Sequence, residues 1–499
     1  MPAMEFDYVI VGAGTAGSVL ANRLTEDPGT RVLVLEAGPP WVPVAVDSPS
    51  AWPSMLGSTV DWGYETVPQH GLDGRRIREP RGRMPGGSSN LNLMMHVRGN
   101  PADFASWPAG WSYRDLLPYF ETHEDQHPPT HAARDAHPLS RTFIDACVEV
   151  GHRALPTFNG PDTAGVSWHH LSLRSGRRHG ALASYLEPAL SRPNLHLRCN
   201  AHATRLLFDG DTCTGVEFHQ SDFVAPTTAA RHLAADDAAP GRHTVHAAEV
   251  IVASGAIDSP KLLLLSGVGP GSDLRRHGIA PVADLPGVGR NFHNHVLAPV
   301  VAATRKPVAA GAQNLSESAL FVKSDPTLAA PDLQLAFVHV PFDPGQQDAV
   351  TILPGVVQPC SRGSITLAGP DPGAPPRIDP NYLDHPADLA RLVEAIRLAQ
   401  DLFHTNAFGR HLTGSVSPDR HTDLVRFARE HADSYHHHAG SCRLGTDAES
   451  VVDTRLRVHT LAGLRVVDAS VMPTLPAGNP HAAVVAIAER AADLIREPW

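Results

Sequence analysis

The first forty residues contain the feature that most restricts how this chain folds. Residues 6–11 are predicted to form a short buried strand, residues 18–24 a helix, and residues 31–35 a second strand that ends at Glu36. A glycine-rich turn joins the first strand to the helix: Gly12, Ala13, Gly14, Thr15, Ala16, Gly17. A strand, turn, helix and strand in this order are typical of a dinucleotide-binding unit.

Each glycine of this turn has a physical role. Gly12 permits the tight turn, Gly14 lets the backbone approach a pyrophosphate, and Gly17 lets the helix pack closely on the strand. Glu36, nineteen residues after Gly17, can accept hydrogen bonds from ribose hydroxyls and would repel a 2′-phosphate, which disfavours NADP. We expect the nucleotide also to contact Thr15, Ala16 and Ala37. The unit alone leaves FAD and NAD open.

Length and charge exclude several classes of protein. A chain of 499 residues predicts two or three domains. Its net charge of −11 offers no basic surface for nucleic acid, and no apolar run approaches the ~20 residues of a membrane span. The cysteines are odd in number, scattered and without CxxC spacing, which predicts a reducing, cytoplasmic location and no metal site. They are Cys147, Cys199, Cys213, Cys360 and Cys442.

Two later segments are rich in small residues. Residues 81–92 include Gly87, Ser88 and Asn92, and residues 255–269 follow a buried-strand pattern at residues 249–253. Small residues let a large planar group or a phosphate lie against the backbone. The two segments resemble the two sequence signatures of the glucose-methanol-choline (GMC) family of FAD-dependent oxidoreductases, and the resemblance extends over nearly the whole chain.

The resemblance implies an α/β (α+β) fold with two domains. A Rossmann-like FAD-binding domain would take residues 1–110, 195–300 and 435–499, and residues 111–194 and 301–434 would form a substrate domain whose antiparallel sheet covers the flavin. Leu91 stands where some members carry the histidine that attaches FAD covalently, so we expect noncovalent FAD. Helical spacing in residues 389–399 predicts a scaffold helix that faces the core.

Three adjacent histidines, at residues 436–438, offer a base for alcohol oxidation, because imidazole titrates near neutral pH. The resemblance selects His437, three residues before Gly440, and gives His481 as its partner. In an extended segment neighbouring side chains alternate, so His436 and His438 should point elsewhere. A metal site is a poor alternative, since three consecutive side chains do not converge readily on one ion.

The resemblance also assigns cofactor contacts near the C-terminus. Asp468 matches the acid that holds the ribityl and pyrophosphate region of the flavin, and Ala469 and Asn479 are expected to line the same site. The apolar pattern after His481 predicts a buried helix whose N-terminus points amide groups at the flavin pyrimidine.

These residues predict an FAD-dependent alcohol oxidase or dehydrogenase. Its partners would be a small alcohol and either oxygen or another electron acceptor. Two alternatives remain open. One is a hydroxynitrile lyase that uses the same histidine as base without redox chemistry, and the other is a catalytically silent flavoprotein. The residues that line the substrate site carry no local signature, so the sequence leaves the alcohol unidentified.

Overall fold

The computed structural model describes residues 5–222, 225–236, 238–309, 311–342 and 348–497. The ends of the predicted FAD-binding domain, at residues 1–4 and 498–499, lie outside the described residues. Within the described part of the chain, no helix is long and apolar enough to cross a membrane.

The glycine-rich turn at residues 12–17 follows a strand of a seven-stranded sheet. The strands Leu195–Arg198, Val32–Leu35, Phe6–Val11 and Gly241–Val252 lie side by side and run parallel, and Leu464–Val466 extends the parallel part beside Gly241–Val252. The antiparallel strands Thr212–Gln220 and Ala201–Asp209 complete the other edge. The predicted strands at residues 6–11 and 31–35 are therefore confirmed to within one residue, whereas the strand predicted at residues 249–253 is the end of a longer one, Gly241–Val252. All three belong to a Rossmann-like sheet.

An eight-stranded antiparallel sheet forms the second layer. Its main path runs in the order Leu412–Ser417, Val300–Thr304, Ala349–Val356, Leu333–Val338, Ser318–Val322 and Gly165–Trp168. The short strand Val296–Leu297 pairs with both Ala349–Val356 and Asp433–Ser434. The expected antiparallel sheet is present, and the division of the chain into two domains at the stated boundaries stays a prediction.

The α-helices of the described residues are Thr15–Leu24, Tyr113–Gln126, Pro138–Glu149, Glu187–Ala189, Gly255–Leu265, Gly271–Arg276, Pro386–Phe403, Asn406–Gly409, Leu424–His431 and His481–Arg496. Short 3₁₀ segments are Val44–Asp47, Pro49–Met55, His70–Leu72, Gly87–Asn90, Pro101–Phe104, Ala132–Asp135 and Ala469–Val471, and Leu182–Leu186 is a π-helical turn. Two-stranded ribbons pair Trp41–Pro43 with Ala230–His232, Tyr64–Glu65 with Arg78–Glu79, Thr130–His131 with His170–Leu171, Leu173–Arg174 with Arg177–Arg178, Val268–Gly269 with Ala283–Asp284, and Ser364–Thr366 with Arg377–Asp379.

Each sheet has its own hydrophobic core. Helices Thr15–Leu24 and His481–Arg496 pack together near the seven-stranded sheet, and Val485, Ile487 and Ala488 are fully buried there. Helix Pro386–Phe403 packs on the eight-stranded sheet, which confirms the scaffold helix predicted for residues 389–399. The apolar side chains thus hold both sheets in place, and residues of both sheets line one cavity.

Candidate active site

The first turn brings backbone to the wall of this cavity. Gly12 has φ of +103°, and a Cβ there would lie 2.6 Å from the carbonyl oxygen of Ala253. A Cβ at Gly17 would lie 1.9 Å from the carbonyl oxygen of Gly12. A Cβ at Gly14, in contrast, would meet nothing within 4 Å. Packing therefore requires glycine at residues 12 and 17, and the space beside Gly14 is open for a phosphate.

Glu36 is held by backbone amides where the second strand ends. One carboxylate oxygen accepts from the amide of Ala13 at 2.9 Å and the other from the amide of Gly38 at 2.8 Å. Burial raises the pKa of Glu36, and the two amide hydrogen bonds oppose that rise. Each oxygen keeps lone-pair capacity for a ribose hydroxyl. The structure thus leaves Glu36 able to accept the hydrogen bonds predicted for it.

The glycine-serine run packs directly on the first turn. The amide of Gly86 donates to the carbonyl of Ala13 at 2.7 Å, and a Cβ at Gly87 would lie 2.8 Å from the Cα of Gly14. Asn92 Oδ1 accepts from Arg178 Nη1 at 2.8 Å, so this predicted cofactor residue also anchors a buried arginine. The two glycine-rich segments therefore form one continuous wall.

Asp468 connects the C-terminal segment to the second signature. Its Oδ2 accepts from the amide of Gly255 at 2.9 Å and from Ser259 Oγ at 2.5 Å, while Oδ1 accepts from the amide of Ser470 at 2.7 Å. Gly255 has φ of +85°, and a Cβ there would meet nothing within 4 Å. The backbone at Gly255, like that at Gly14, therefore leaves free space on the cavity side. These open stretches of backbone fit a bound FAD.

One cavity gathers nearly all of the predicted site residues. Gly17 alone lies beneath the turn and does not line it. The lining residues among those predicted are Gly12, Gly14, Thr15, Ala16, Glu36, Ala37, Gly87, Ser88, Asn92, His437, Asp468, Ala469, Asn479 and His481. We call the part lined by Gly14, Glu36, Gly255 and Asp468 the cofactor half, and the part lined by Ser316, Tyr435, His437, Asn479 and His481 the catalytic half.

His437 is fixed from three sides in the catalytic half. Its backbone amide donates to Asn294 Oδ1 at 2.7 Å, and its Nδ1 lies 2.9 Å from Nδ1 of His295. Its Nε2 lies 3.1 Å from Nδ2 of Asn479. An amide nitrogen only donates, so with this amide orientation Nε2 of His437 is an unprotonated acceptor and Nδ1 carries the proton toward His295.

Electrostatics keep this imidazole neutral. Burial is the largest reason that the pKa of His437 lies well below its usual value, and the neighbouring charge of His295, when protonated, lowers it further. Burial also lowers the pKa of His481 to about 4, with smaller contributions from His96 and Arg178. Both rings are therefore uncharged at neutral pH, which is the form that a base requires.

The two histidines beside His437 turn toward a buried carboxylate. Nε2 of His438 lies 2.6 Å from Glu79 Oε2, and Nδ1 of His436 lies 3.6 Å from the same oxygen. The segment is not the regular extended strand assumed from the sequence, because His436 has φ of +62°. The prediction that both side chains point away from the position of the base nevertheless agrees with these contacts, although all three histidines border the cavity.

Glu79 lies behind the catalytic segment. It accepts from Tyr382 Oη at 2.6 Å and Ser434 Oγ at 2.6 Å, in addition to its contact with His438. Burial alone would raise the pKa of Glu79, but the interactions with His438 and His436 outweigh burial and hold it below its usual range. Glu79 is thus an ionised anchor for the loop that presents His437.

His481 begins the C-terminal helix and does not hydrogen-bond to His437. Its Nε2 is buried and has no hydrogen-bond partner among the described residues, and the same holds for Oδ1 of Asn479. Asn479, predicted as a cofactor contact, is the residue that meets His437. Since buried polar atoms normally have partners, these two atoms point to a ligand that supplies them.

Several residues of the catalytic half were missed by sequence reasoning. His295, Asn294 and Glu79 contact the catalytic segment from positions more than 140 residues away, as the separations of 142, 143 and 359 residues show. The cluster His293-Asn294-His295 is the one local signal that could have pointed to two of them. Ser316 had no signal, because it lies in a segment without a motif.

Comparison with known proteins supports the family resemblance. The GMC oxidoreductase family models match residues 6–297 for the N-terminal part and residues 359–488 for the C-terminal part. The alcohol dehydrogenase [acceptor] of Pseudomonas putida is 34% identical over 98% of this chain and 95% of its own length. The oxygen-dependent choline dehydrogenase of Staphylococcus saprophyticus is 36% identical over 99% of this chain and 95% of its own length.

Among solved structures, pyridoxine 4-oxidase from Mesorbium loti superposes with a TM-score of 0.91 at 33% identity. The match covers 98% of this chain and 99% of that one. Family models, full-length relatives and fold therefore agree with the resemblance seen in the sequence. The chain belongs to the GMC oxidoreductase family and is an FAD-dependent oxidoreductase.

Proposed function

We propose that this enzyme oxidises the CH–OH group of an alcohol to a carbonyl, with His437 as the base that takes the hydroxyl proton. The observation that carries the proposal is the neutral imidazole of His437, whose Nε2 is an acceptor at the cavity wall. When bound, FAD supplies a hydride acceptor at flavin N5.

The neighbours of His437 suit a base that gains a proton. Before an alcohol binds, Asn479 holds Nε2 in its accepting form, and the alcohol hydroxyl takes the place of the amide. After proton transfer to Nε2, Nδ1–H of His437 still donates to His295 at 2.9 Å. Burial lowers the pKa of His295 to about 3, so this ring is neutral and able to accept. The free Nε2 of His481 can donate a second hydrogen bond to the alcohol oxygen.

The names of the relatives support a CH–OH substrate and leave the electron acceptor open. One relative is an alcohol dehydrogenase [acceptor], another an oxygen-dependent choline dehydrogenase, and a third a pyridoxine oxidase. We therefore propose oxygen or another acceptor as the second substrate. Parallel assays for peroxide and for dye reduction distinguish an oxidase from a dehydrogenase.

We propose that FAD is bound noncovalently. Leu91 lines the cavity and presents a hydrocarbon side chain that has no nucleophile. Acid precipitation should release yellow cofactor into the supernatant, and flavin retained on the precipitated chain would contradict this. A cytoplasmic location stays a prediction, supported by the fact that all five cysteines are free thiols.

Anaerobic mixing of the FAD-loaded enzyme with a panel of primary and secondary alcohols tests the function. We expect at least one alcohol to bleach the flavin absorbance and to yield the matching aldehyde or ketone. Cyanide release from a cyanohydrin without bleaching would instead indicate a hydroxynitrile lyase. Neither signal with any substrate would indicate a flavoprotein without this chemistry.

A further inference from the structure

The wall opposite the cofactor half comes from the eight-stranded sheet and is apolar. Ala336 and Leu353 line the cavity from two paired strands of that sheet. Tyr435 continues this wall to the base, because its ring stacks on His437 with centroids 5.2 Å apart. Its hydroxyl donates to the carbonyl of Leu353 at 3.1 Å. Tyr435 therefore offers a ligand its ring and not a free donor.

A second aromatic ring faces the cavity from the N-terminal part of the chain. Trp52 is 7% exposed, and its indole N–H donates to the carbonyl of Asn314 at 3.1 Å. Asn314 in turn donates to the carbonyl of Leu93 at 2.6 Å. Leu56 and Leu93 lie on the same cavity wall. Both aromatic side chains thus have their polar atoms occupied by backbone and present apolar surface.

The carboxylates that line the cavity belong to the cofactor half. Among the described residues they are Glu36, Asp258 and Asp468, all on elements attached to the seven-stranded sheet. Each already accepts a hydrogen bond from protein: Glu36 and Asp468 from backbone amides and Asp258 from Tyr64 at 2.7 Å. All three belong to the cofactor half, and no described lining residue of the catalytic half is a carboxylate.

A guanidinium and a buried carboxylate lie on either side of the segment that carries His437. Arg81 lines the cavity and donates to the carbonyl of His436 at 2.7 Å. The carboxylate of Glu79, 0% exposed, lies behind the same segment with its two oxygens bonded to Tyr382, Ser434 and His438. Since this carboxylate is covered, a ligand beside the base finds no accessible anion among the described residues of the catalytic half.

One hydroxyl on this wall has no partner. Ser316 is fully buried and lines the cavity, and its Oγ makes no hydrogen bond within the described part of the chain. Its backbone amide donates to Asn314 Oδ1 at 3.1 Å, which connects it to the support of Trp52. A buried hydroxyl without a partner is costly unless a ligand completes it.

We infer that the substrate is an uncharged, ring-bearing alcohol with a second hydrogen-bonding atom that meets Ser316. This rests on the proposed function, since it names the substrate class of the same site. The ring lies between Trp52 and the Leu353–Tyr435 wall, and the hydroxyl reaches His437. A quaternary ammonium alcohol such as choline would bury its charge without a counterion, and aromatic faces alone offset only part of that loss.

The direct test compares choline with its carbon isostere, in which a tert-butyl group replaces the trimethylammonium group. The two alcohols match in shape and differ in charge, so the ratio of their kcat/KM values measures the effect of the charge. We expect the neutral isostere to react at least about tenfold better, and benzyl alcohol better still. Choline as the better substrate would overturn the inference while leaving alcohol oxidation intact. If neither these probes nor the wider panel bleaches the flavin, the proposed function itself fails.

Ser316→Ala tests the proposed hydrogen bond between Ser316 and the substrate. The probes are benzyl alcohol and the pyridylmethanol with its ring nitrogen opposite the hydroxymethyl group. We expect the variant to lower kcat/KM for the pyridylmethanol about tenfold more than for benzyl alcohol, the loss of roughly one hydrogen bond. Equal losses for both probes would overturn the role of Ser316. The exposed Ser272→Ala is the matched control, and FAD content with melting temperature reports whether each variant folds.

Discussion

The two halves of the cavity are built by different means. The cofactor half depends on backbone: Gly12 and Gly17 pack against carbonyl oxygens with no room for a Cβ, and Glu36 and Asp468 accept from amides. The catalytic half depends on side chains, and three of its polar atoms, on His481, Asn479 and Ser316, have no partner in the described structure. Substitutions in the first half should therefore cost cofactor and stability, and in the second half they should cost chemistry.

The largest effect is expected from Gly17→Ala. The added Cβ would lie 1.9 Å from a carbonyl oxygen, so the helix must move away from the strand. We expect a loss of about 3 kcal/mol or more in unfolding free energy, because overpacking of this degree is poorly relieved, and loss of most bound FAD. Melting temperature and flavin absorbance per chain measure both effects.

The matched control for that variant is Gly369→Ala, where a Cβ would meet nothing within 4 Å and φ is not positive. It should retain FAD and stability. If Gly17→Ala behaved like this control, the claim that backbone packing builds the cofactor half would be wrong.

His437→Ala should separate chemistry from cofactor binding. Loss of a general base lowers the rate of anaerobic flavin reduction about 1,000-fold, while FAD content stays near that of the unmodified enzyme. Stopped-flow absorbance measures the rate. His70→Ala is the control, since that side chain is 91% exposed and does not line the cavity. A rate within about threefold of that of the unmodified enzyme would refute the assignment of the base, because a threefold loss corresponds to less free energy than one hydrogen bond.

His295→Ala should have a smaller effect with a distinctive pH signature. His295 acts through His437, so we expect the rate of flavin reduction to fall about tenfold, by roughly the free energy of one hydrogen bond. Because His295 contacts the ring that takes up the proton, its removal should move the acidic limb of the rate profile. His295→Asn, which keeps an acceptor near Nδ1, should restore part of the rate. A lower rate with an unmoved limb would indicate a purely structural role.

Acid should weaken the catalytic half first. The pKa values of His437, His295 and His481 lie below about 6.5, their unfolded value, so the unfolded chain binds more protons below that pH. Their contribution to stability is complete above about pH 6.5 and is lost as pH falls toward the folded values. Melting temperatures from about pH 7 to about pH 4 should fall less steeply for His295→Asn. Parallel curves would contradict this.

Much of the cofactor half was predictable because its signals are local. The turn at residues 12–17, Glu36 and the strands on either side lie within about thirty consecutive residues, and steric rules for glycine translate directly into structure. The resemblance to a family added His437 and His481, which both line the same cavity in the structure. The roles assigned to all of these residues remain predictions.

The catalytic half was harder to predict because its contacts are long-range. His295 meets His437 only when the strand Val296–Leu297 pairs with Asp433–Ser434, and this pairing follows from the whole antiparallel sheet. Likewise, His436 takes a left-handed backbone that no residue pattern indicated, since φ > 0 is uncommon for histidine. Ser316 became a candidate only when its burial and its unpartnered hydroxyl were seen together.

The central claim is that the neutral ring of His437 is the base, and the pH dependence of anaerobic flavin reduction tests it most directly. For the unmodified enzyme, the account predicts that the rate with a saturating alcohol rises with pH through a pKa below about 6.5 and then stays level. In His437→Ala that limb should be absent and the residual rate low. The same limb in the variant, or a limb clearly above about 6.5 in the unmodified enzyme, would contradict the account.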